Sequence, residues 1–309
     1  MKLGIYLHGT SPFNPVTSFQ EYKNRALNYE NQGFDSLWFA DHLIRTPDPD
    51  QGPVYETWTL MSALGAITSK IKFGTLVTPI TFRNFGVFMK MITTFDHITN
   101  GRLITGLGIG WYQKEHSMFG LEFKSVKERF DILETTLDAY SKLCNGETVN
   151  NEKLGLVQAY LNPLPIQKPL PILIGGSGEK KTFRLIAKYA QMSNFGGTNE
   201  QLKRKLQVLQ DRCSEIGRDF SEVITTSNRA LITARTKQEL SSSITNYKKR
   251  LNKPNMTTDE FKSNRLVGFP SEVAEQIREL EEIGIKYVTF TINDPISQEL
   301  AGDVLREVK

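Results

Sequence analysis

Two cysteines, Cys144 and Cys213, are all that the chain has in 309 residues. That excludes a disulfide framework and a cysteine-based metal site, and it agrees with a reducing compartment. Histidine is scarce too, with four in all, at His8, His42, His97 and His116. No His-x-His pair and no carboxylate cluster at ligand spacing accompanies them, which argues against a metal-dependent hydrolase. Charge of one sign is nearly absent: 38 basic against 34 acidic side chains leave +4, spread along the chain. Without a basic block interleaved with aromatics, nothing points to nucleic acid as a partner. Long apolar runs are missing as well. The first one breaks at His8 and Gly9, too soon for a signal sequence, and no later run approaches a membrane span, so the expectation is a cytoplasmic protein away from membranes.

What the chain does have is a rhythm. Short apolar runs at 2–7, 36–40, 71–79, 102–110, 171–176, 191–196, 223–234 and 286–292 read as strands, and longer segments with helical spacing lie between them. The stretch 145–170 interrupts the alternation with asparagine, glycine and proline and reads as an insertion between strands four and five. A polar stretch near 252–265 precedes the helical spacing of 271–284. Eight strands interleaved with helices predict an α/β fold, a single (β/α)8 TIM barrel spanning 1–309. In such a barrel the residues just after each strand are the candidates for function.

Four stretches stand out on that map. "GLGIGW" places Gly106, Gly108 and Gly110 two apart inside a strand. A dinucleotide fingerprint needs Gly-x-Gly-x-x-Gly at a turn into a helix, and "WYQKEHSMFG" does not read as a helix opening. Alternate strand residues share a face, so these glycines strip one face bare, either for a ligand or for a crowding neighbour. "PILIGGSGEKK" runs a strand into Gly175, Gly176, Ser177 and Gly178, with a helix expected from about Glu179. This suits a phosphate cradle, and a plain turn is the alternative. "FADHLI" sets Asp41 and His42 past strand two, where an imidazole can move a proton or merely pin a loop. His8 is a weaker candidate of the same kind, and His97 and His116 read as structural. "GTLVTP" reads as ordinary strand packing.

Taken together, "GFDSLWFADHL", "IKFGTLVTPITFRN", "TNGRLITGLGIGWYQKEHSMFG", "LPILIGGSGEKKTFRLIAKYA" and "PSEVAEQIRELEEIGIKYVTF" resemble the luciferase-like flavin oxidoreductases. The chain is most similar to the branch of probable coenzyme F-420 (deazaflavin) dependent oxidoreductases. The resemblance implies a barrel with an insertion, usually a homodimer, holding a flavin or deazaflavin at the C-terminal ends of its strands. It also implies a non-proline cis peptide at Leu76–Val77 behind the ring, the phosphate on Gly175 to Gly178, and His42 near the reactive ring for proton transfer with Asp41 beside it. Gly110 and Trp111 would line the cleft. Deazaflavin sugar-phosphate and alcohol dehydrogenases of the family have an acidic proton donor where this chain has Trp111. Many relatives also read Asp-Gly-x-Asn at strand six, where this chain has Gln191, Met192, Ser193 and Asn194.

Three functions are compatible with that resemblance. The first is hydride transfer between coenzyme F-420 and a small organic substrate. The second is an FMN-dependent monooxygenase, a flavoprotein supplied with reduced flavin by a separate reductase. The third is a non-catalytic flavin-binding protein on a retained barrel.

Overall fold

The computed structural model describes residues 1–7, 16, 18–46 and 52–309. In chain order its strands are β1 (Lys2–Tyr6), β2 (Ser36–Phe39), β3 (Lys72–Thr75), β4 (Thr78–Pro79), β5 (Leu103–Gly108), β6 (Val149–Asn151), β7 (Leu156–Ala159), β8 (Ile172–Gly175), β9 (Met192–Asn194), β10 (Ile224–Thr233), β11 (Arg265–Gly268) and β12 (Tyr287–Ile292). Strands β1, β2, β3, β5, β8, β9, β10 and β12 pair in that order, all parallel, and β12 returns to β1. The ring closes with eight strands, as the alternation predicts, and helices cover its outer face.

Both faces of the ring strands are buried, so β1, β2, β5 and β8 are mainly apolar, while β9, β10 and β12 bury hydroxyl and amide groups among them. The interior holds Trp38, Ile104, Leu173, Met192 and Tyr287, with Tyr6, Leu76, Val77 and Ile224 packed against them. A larger apolar layer fills the space between strands and helices, with Leu37, Phe73, Leu107 and Phe290 among its fully buried members. The helices begin where side chains can satisfy free N–H groups. Ser18, Ser125, Thr198 and Thr236 each accept a backbone N–H at a helix start, and Gly33 ends the first helix at φ 88°.

Three expectations change, and one unassigned stretch gains structure. The run 71–79 is not one strand: a cis peptide at Leu76–Val77 separates β3 from β4, and β4 pairs with β5 alone. The polar stretch 252–265 contains the helix Thr258–Lys262 and leads into β11, which pairs with the far half of β10. "WYQKEHSMFG" does contain a helix, Gln113–Met118, so His116 is helical. The helix after the glycine loop starts at Thr182 rather than near Glu179. The insertion at 145–170 forms an antiparallel pair, β6 with β7, outside the ring. Among the described residues no helix is long and apolar enough to cross a membrane.

Two charged side chains tie the scaffold together from within. Arg102, buried at the foot of β5, donates to the carbonyls of Gly65, Thr68, Ile71 and Thr99, which include the end of the helix Thr57–Ile67. Glu30 accepts the backbone N–H groups of Ser69, Lys70 and Ile71 on one oxygen, at 2.9, 2.7 and 3.0 Å, and so fixes the entry to β3. Burial opposes ionisation of Glu30, but those three donors outweigh it and hold the carboxyl below its usual range. A carboxyl depressed in the folded state stabilises above its unfolded pKa, and that share is lost as pH falls through the folded value. Glu30→Gln keeps an acceptor oxygen but loses the charge, and with solvent screening it is therefore expected to cost about 0.5–1 kcal/mol near neutrality. It should also flatten the acid limb of the stability curve, measured by urea unfolding as a function of pH. An unchanged acid limb would contradict this assignment.

Candidate active site

At the C-terminal ends of the strands lies a cleft of about 350 Å³, lined by His42, Leu76, Val77, Pro79, Gly108, Ile109, Gly110, Trp111, Gly175, Gly176 and Asn194. Seven of the ten expected site residues are on that wall. Two larger hollows, of about 460 and 410 Å³, sit elsewhere and contain none of them. Size does not identify the site; convergence of the strand ends does.

The floor is built by glycine. A Cβ on Gly108 would sit 2.6 Å from Val77 Cγ2, and one on Gly175 would sit 2.9 Å from Val77 Cγ1. These two positions admit the Val77 side chain between β5 and β8, and so place the Leu76–Val77 bulge against the cleft. Deeper in the barrel, a Cβ on Gly106 would overlap the Thr75 carbonyl oxygen. Thr75 Oγ1 also exchanges hydrogen bonds with Gly106, donating to its carbonyl at 2.8 Å and accepting its N–H at 3.0 Å. For Gly106 the neighbour is backbone, not ligand. Gly110 marks the rim, at φ 72°, and the buried Arg129 fixes it by donating to the carbonyls of Ile109 and Gly110.

His42 enters from the loop after β2. Its Nδ1 lies 2.9 Å from Glu115 Oε2, and Glu115 is buried at 1% exposure. The other carboxylate oxygen of Glu115 accepts the N–H groups of Leu43 and Ile44. An ionised carboxylate only accepts, so Nδ1 must carry the proton and Nε2 is left for the cleft. The indole of Trp111 packs edge-on to the imidazole, with centroids 5.9 Å apart, while remaining 60% exposed itself.

Asp41 is placed differently from His42. Its carboxylate is fully buried, accepts Thr78 Oγ1 at 2.8 Å, and is gripped by Arg83 through both oxygens at 2.7 and 3.0 Å. Arg83 bridges on to Glu56. Burial alone would lower the Arg83 guanidinium, but Asp41 and Glu56 outweigh it and hold it raised. The Asp41 side chain thus anchors the His42 loop to β4 from behind and does not line the cleft.

The glycine loop turns at Gly176, with φ 131°, and Ser177 and Gly178 continue it on the exposed surface beyond the cleft wall. No side chain caps the helix Thr182–Tyr189 that follows. Lys205 reaches over, its Nζ 3.3 Å from Ser177 Oγ and 2.6 Å from the Gly196 carbonyl. Burial lowers the Lys205 ammonium somewhat. An uncapped helix start, a glycine turn and a largely buried lysine form a donor set suited to a phosphate.

Three of the remaining sequence candidates resolve as follows. His116 holds the rim: Nε2 meets Thr81 Oγ1 at 2.7 Å and Nδ1 meets the Tyr112 carbonyl at 2.9 Å. His97 meets the Leu164 carbonyl at 2.8 Å, tying its helix to the insertion. His8 lies outside the described residues. At strand six, Gln191 Oε1 accepts the Ile172 N–H, Asn194 lines the cleft, and its amide donates to Thr226 Oγ1 at 2.8 Å. Sequence reading missed Glu115, Arg83 and Lys205. The usable signal for Glu115 was slight: an acidic residue beside His116 in the segment following the rim tryptophan.

Comparison with known proteins bears on the family and the fold. An F420-dependent glucose-6-phosphate dehydrogenase of Amycolatopsis mediterranei is 31% identical over 201 residues, 63% of this chain and 56% of that protein. One from Microbacterium testaceum is 34% identical over 203 residues, 63% of this chain and 59% of that protein. The chain thus spans under two thirds of the length of these relatives. In structure, an F420-dependent secondary alcohol dehydrogenase bound to an F420–acetone adduct superposes with a TM-score of 0.82 at 18% identity, covering 100% of this chain and 99% of that one. A long-chain alkane monooxygenase superposes with 0.81 at 18% identity, covering 100% and 91%. At that identity the likeness establishes the TIM-barrel fold. The luciferase-like monooxygenase family model matches residues 1–287, and the chain belongs to that family.

Proposed function

We propose that the chain is a deazaflavin-dependent oxidoreductase, moving a hydride to or from a small organic substrate in the cleft. One observation carries the reading: a carboxylate-backed His42 faces the same cleft as the Leu76–Val77 bulge and the start of the glycine loop. The names of its F420-dependent relatives support the choice of coenzyme.

When bound, a deazaflavin supplies a ring carbon that accepts or donates hydride, at the position where a flavin has the nitrogen that makes its reduced ring reactive toward oxygen. The residues present fit such a group. Gly175, Gly176, Ser177 and Gly178, with Lys205, would hold its phosphate, while Val77 between Gly108 and Gly175 would back the ring. Gly110 and Trp111 would shield it from water at the rim. His42, with Nε2 directed by Glu115, holds or releases the substrate proton as the hydride moves. Family dehydrogenases use an acidic residue at the position of Trp111. Here proton handling falls to the His42–Glu115 pair, with Asp41 positioning the loop.

In this reading residues 1–309 act as one unit in the cytoplasm, the ring-closing strands being drawn from both ends of the sequence. Val157 and Tyr160 of the insertion, 83% and 67% exposed, support pairing with a second copy of the chain. Titration of the purified protein with coenzyme F-420 and with FMN, followed by fluorescence quenching, tests the proposal. Saturable F-420 binding in preference to FMN is the expected result. Tight FMN binding without F-420 binding would overturn it in favour of a monooxygenase fed by a separate reductase. Failure to bind either would favour a non-catalytic role.

A further inference from the structure

A cavity of about 460 Å³ opens on the outer face of the barrel, away from the cleft. It lies where β10 changes neighbours along its length, from β9 at Ile224–Thr226 to β11 at Ala230–Thr233. Helix Asn199–Ser214 contributes its first turn to the wall, and the helices Thr258–Lys262 and Pro270–Ile283 complete it. Within β10, Asn228 points to the barrel interior, where Thr289 and Thr291 donate to its side chain. Arg229, next along the strand, therefore points outward, and it forms part of the cavity wall.

Arg229 is only 3% exposed, and its Nε and Nη2 are buried without a hydrogen-bond partner. Glu200, Asp259 and Glu279 border the same cavity, yet no carboxylate among the described residues pairs with it. Burial lowers the guanidinium to about 10, so it remains charged near neutrality. A buried, unpaired cation is costly, and nothing in the fold offsets this one. The two unsatisfied atoms form one edge of the guanidinium fork, the edge that matches a pair of oxygens on a carboxylate or phosphate. Lys262 and Arg265 lie on the same wall and, with Arg229, balance the charge of Glu200, Asp259 and Glu279.

We propose that this cavity is a second ligand site, in which Arg229 grips the carboxylate or phosphate group of a small metabolite, independently of the coenzyme cleft. Nε and Nη2 are closed off from solvent, so binding turns their edge toward the adjoining cavity, which leaves room for the movement.

The test uses the full chain and the side-chain Nε–H resonance of Arg229, assigned by its absence in Arg229→Lys. Inorganic phosphate and succinate are titrated separately. A saturable shift with either anion is expected, and the responding anion identifies which oxyanion the site takes. Arg229→Lys, which keeps the charge but loses the fork, should weaken that anion's binding by about tenfold or more, read by calorimetry. The Arg229 shift should persist in Lys205→Met, which disables the glycine-loop lysine. No shift with either anion overturns the proposal. Loss of the shift in Lys205→Met also overturns it, because the anion would then be acting from the cleft.

Discussion

Glu115→Gln is expected to slow turnover by about 10²–10⁴-fold while leaving coenzyme affinity within a few-fold of wild type. The reason is the direction of one hydrogen bond. Glu115 accepts the Nδ1 proton of His42 and so leaves Nε2 free toward the cleft. Its other oxygen is occupied by the backbone N–H groups of Leu43 and Ile44, which only an acceptor can satisfy. A glutamine there must keep its carbonyl oxygen on those amides and turn its NH₂ toward His42. Nδ1 then becomes the acceptor, and the proton moves to Nε2. The imidazole stays in place but presents the wrong tautomer. Imidazole nitrogen chemical shifts report this without any substrate: the protonated and unprotonated signals of His42 should exchange positions. Turnover is then measured as absorbance change of F-420 with an alcohol or sugar-phosphate panel. Wild-type rates in the variant, or unchanged nitrogen shifts, would show that Glu115 is only a loop anchor.

Gly106→Ala is the second large effect, and it acts on the fold. The added methyl would overlap the Thr75 carbonyl oxygen, a backbone atom of β3 whose residue is also tied to Gly106 through its hydroxyl. A side chain could swing aside, but this neighbour cannot. Destabilisation of about 3 kcal/mol or more is expected. The measurement is the urea midpoint relative to wild type. Gly108→Ala is the informative contrast. Its methyl would meet only Val77 Cγ2, at 2.6 Å, which can yield by shifting the bulge. The milder loss of stability there should come with weakened coenzyme binding. Equal stability losses at 106 and 108 would contradict the distinction between a backbone neighbour and a side-chain neighbour.

The ring is legible in the sequence because burial on two faces leaves short apolar runs alternating with helical segments, and each of the eight runs contains a ring strand, although 71–79 is broken after Thr75. Strand β11 escapes because it has only four residues, begins at an arginine and follows a polar segment, so periodicity has little to register. The helix Gln113–Met118 escapes for a similar reason: its sequence, QKEHSM, is nearly all polar, and it is held by capping the rim rather than by an apolar stripe. For the site, positions at strand ends were visible and their partners were not. His42 could be picked out from its place after β2. Glu115 lies 73 residues away, and nothing in composition announces that its carboxylate is buried. Arg83 and Asp41 show the same limit from the other side. Asp41 looks like a ligand contact beside His42, but a second charge, 42 residues on, claims both of its oxygens.

The short strand β9 has a consequence for how evenly the ring resists opening. It contributes three register pairs to β8 and three to β10, whereas β1 and β12 share five and β10 and β12 share six. Fewer ladder bonds mean a lower local free energy of opening, so β9, like the β3–β5 seam with its two pairs, opens more readily than the β10–β12–β1 side of the ring. Asn194, the last residue of β9, is also on the cleft wall. A molecule seated in the cleft therefore rests against a lightly paired stave of the barrel, and its binding energy would act there as a hoop.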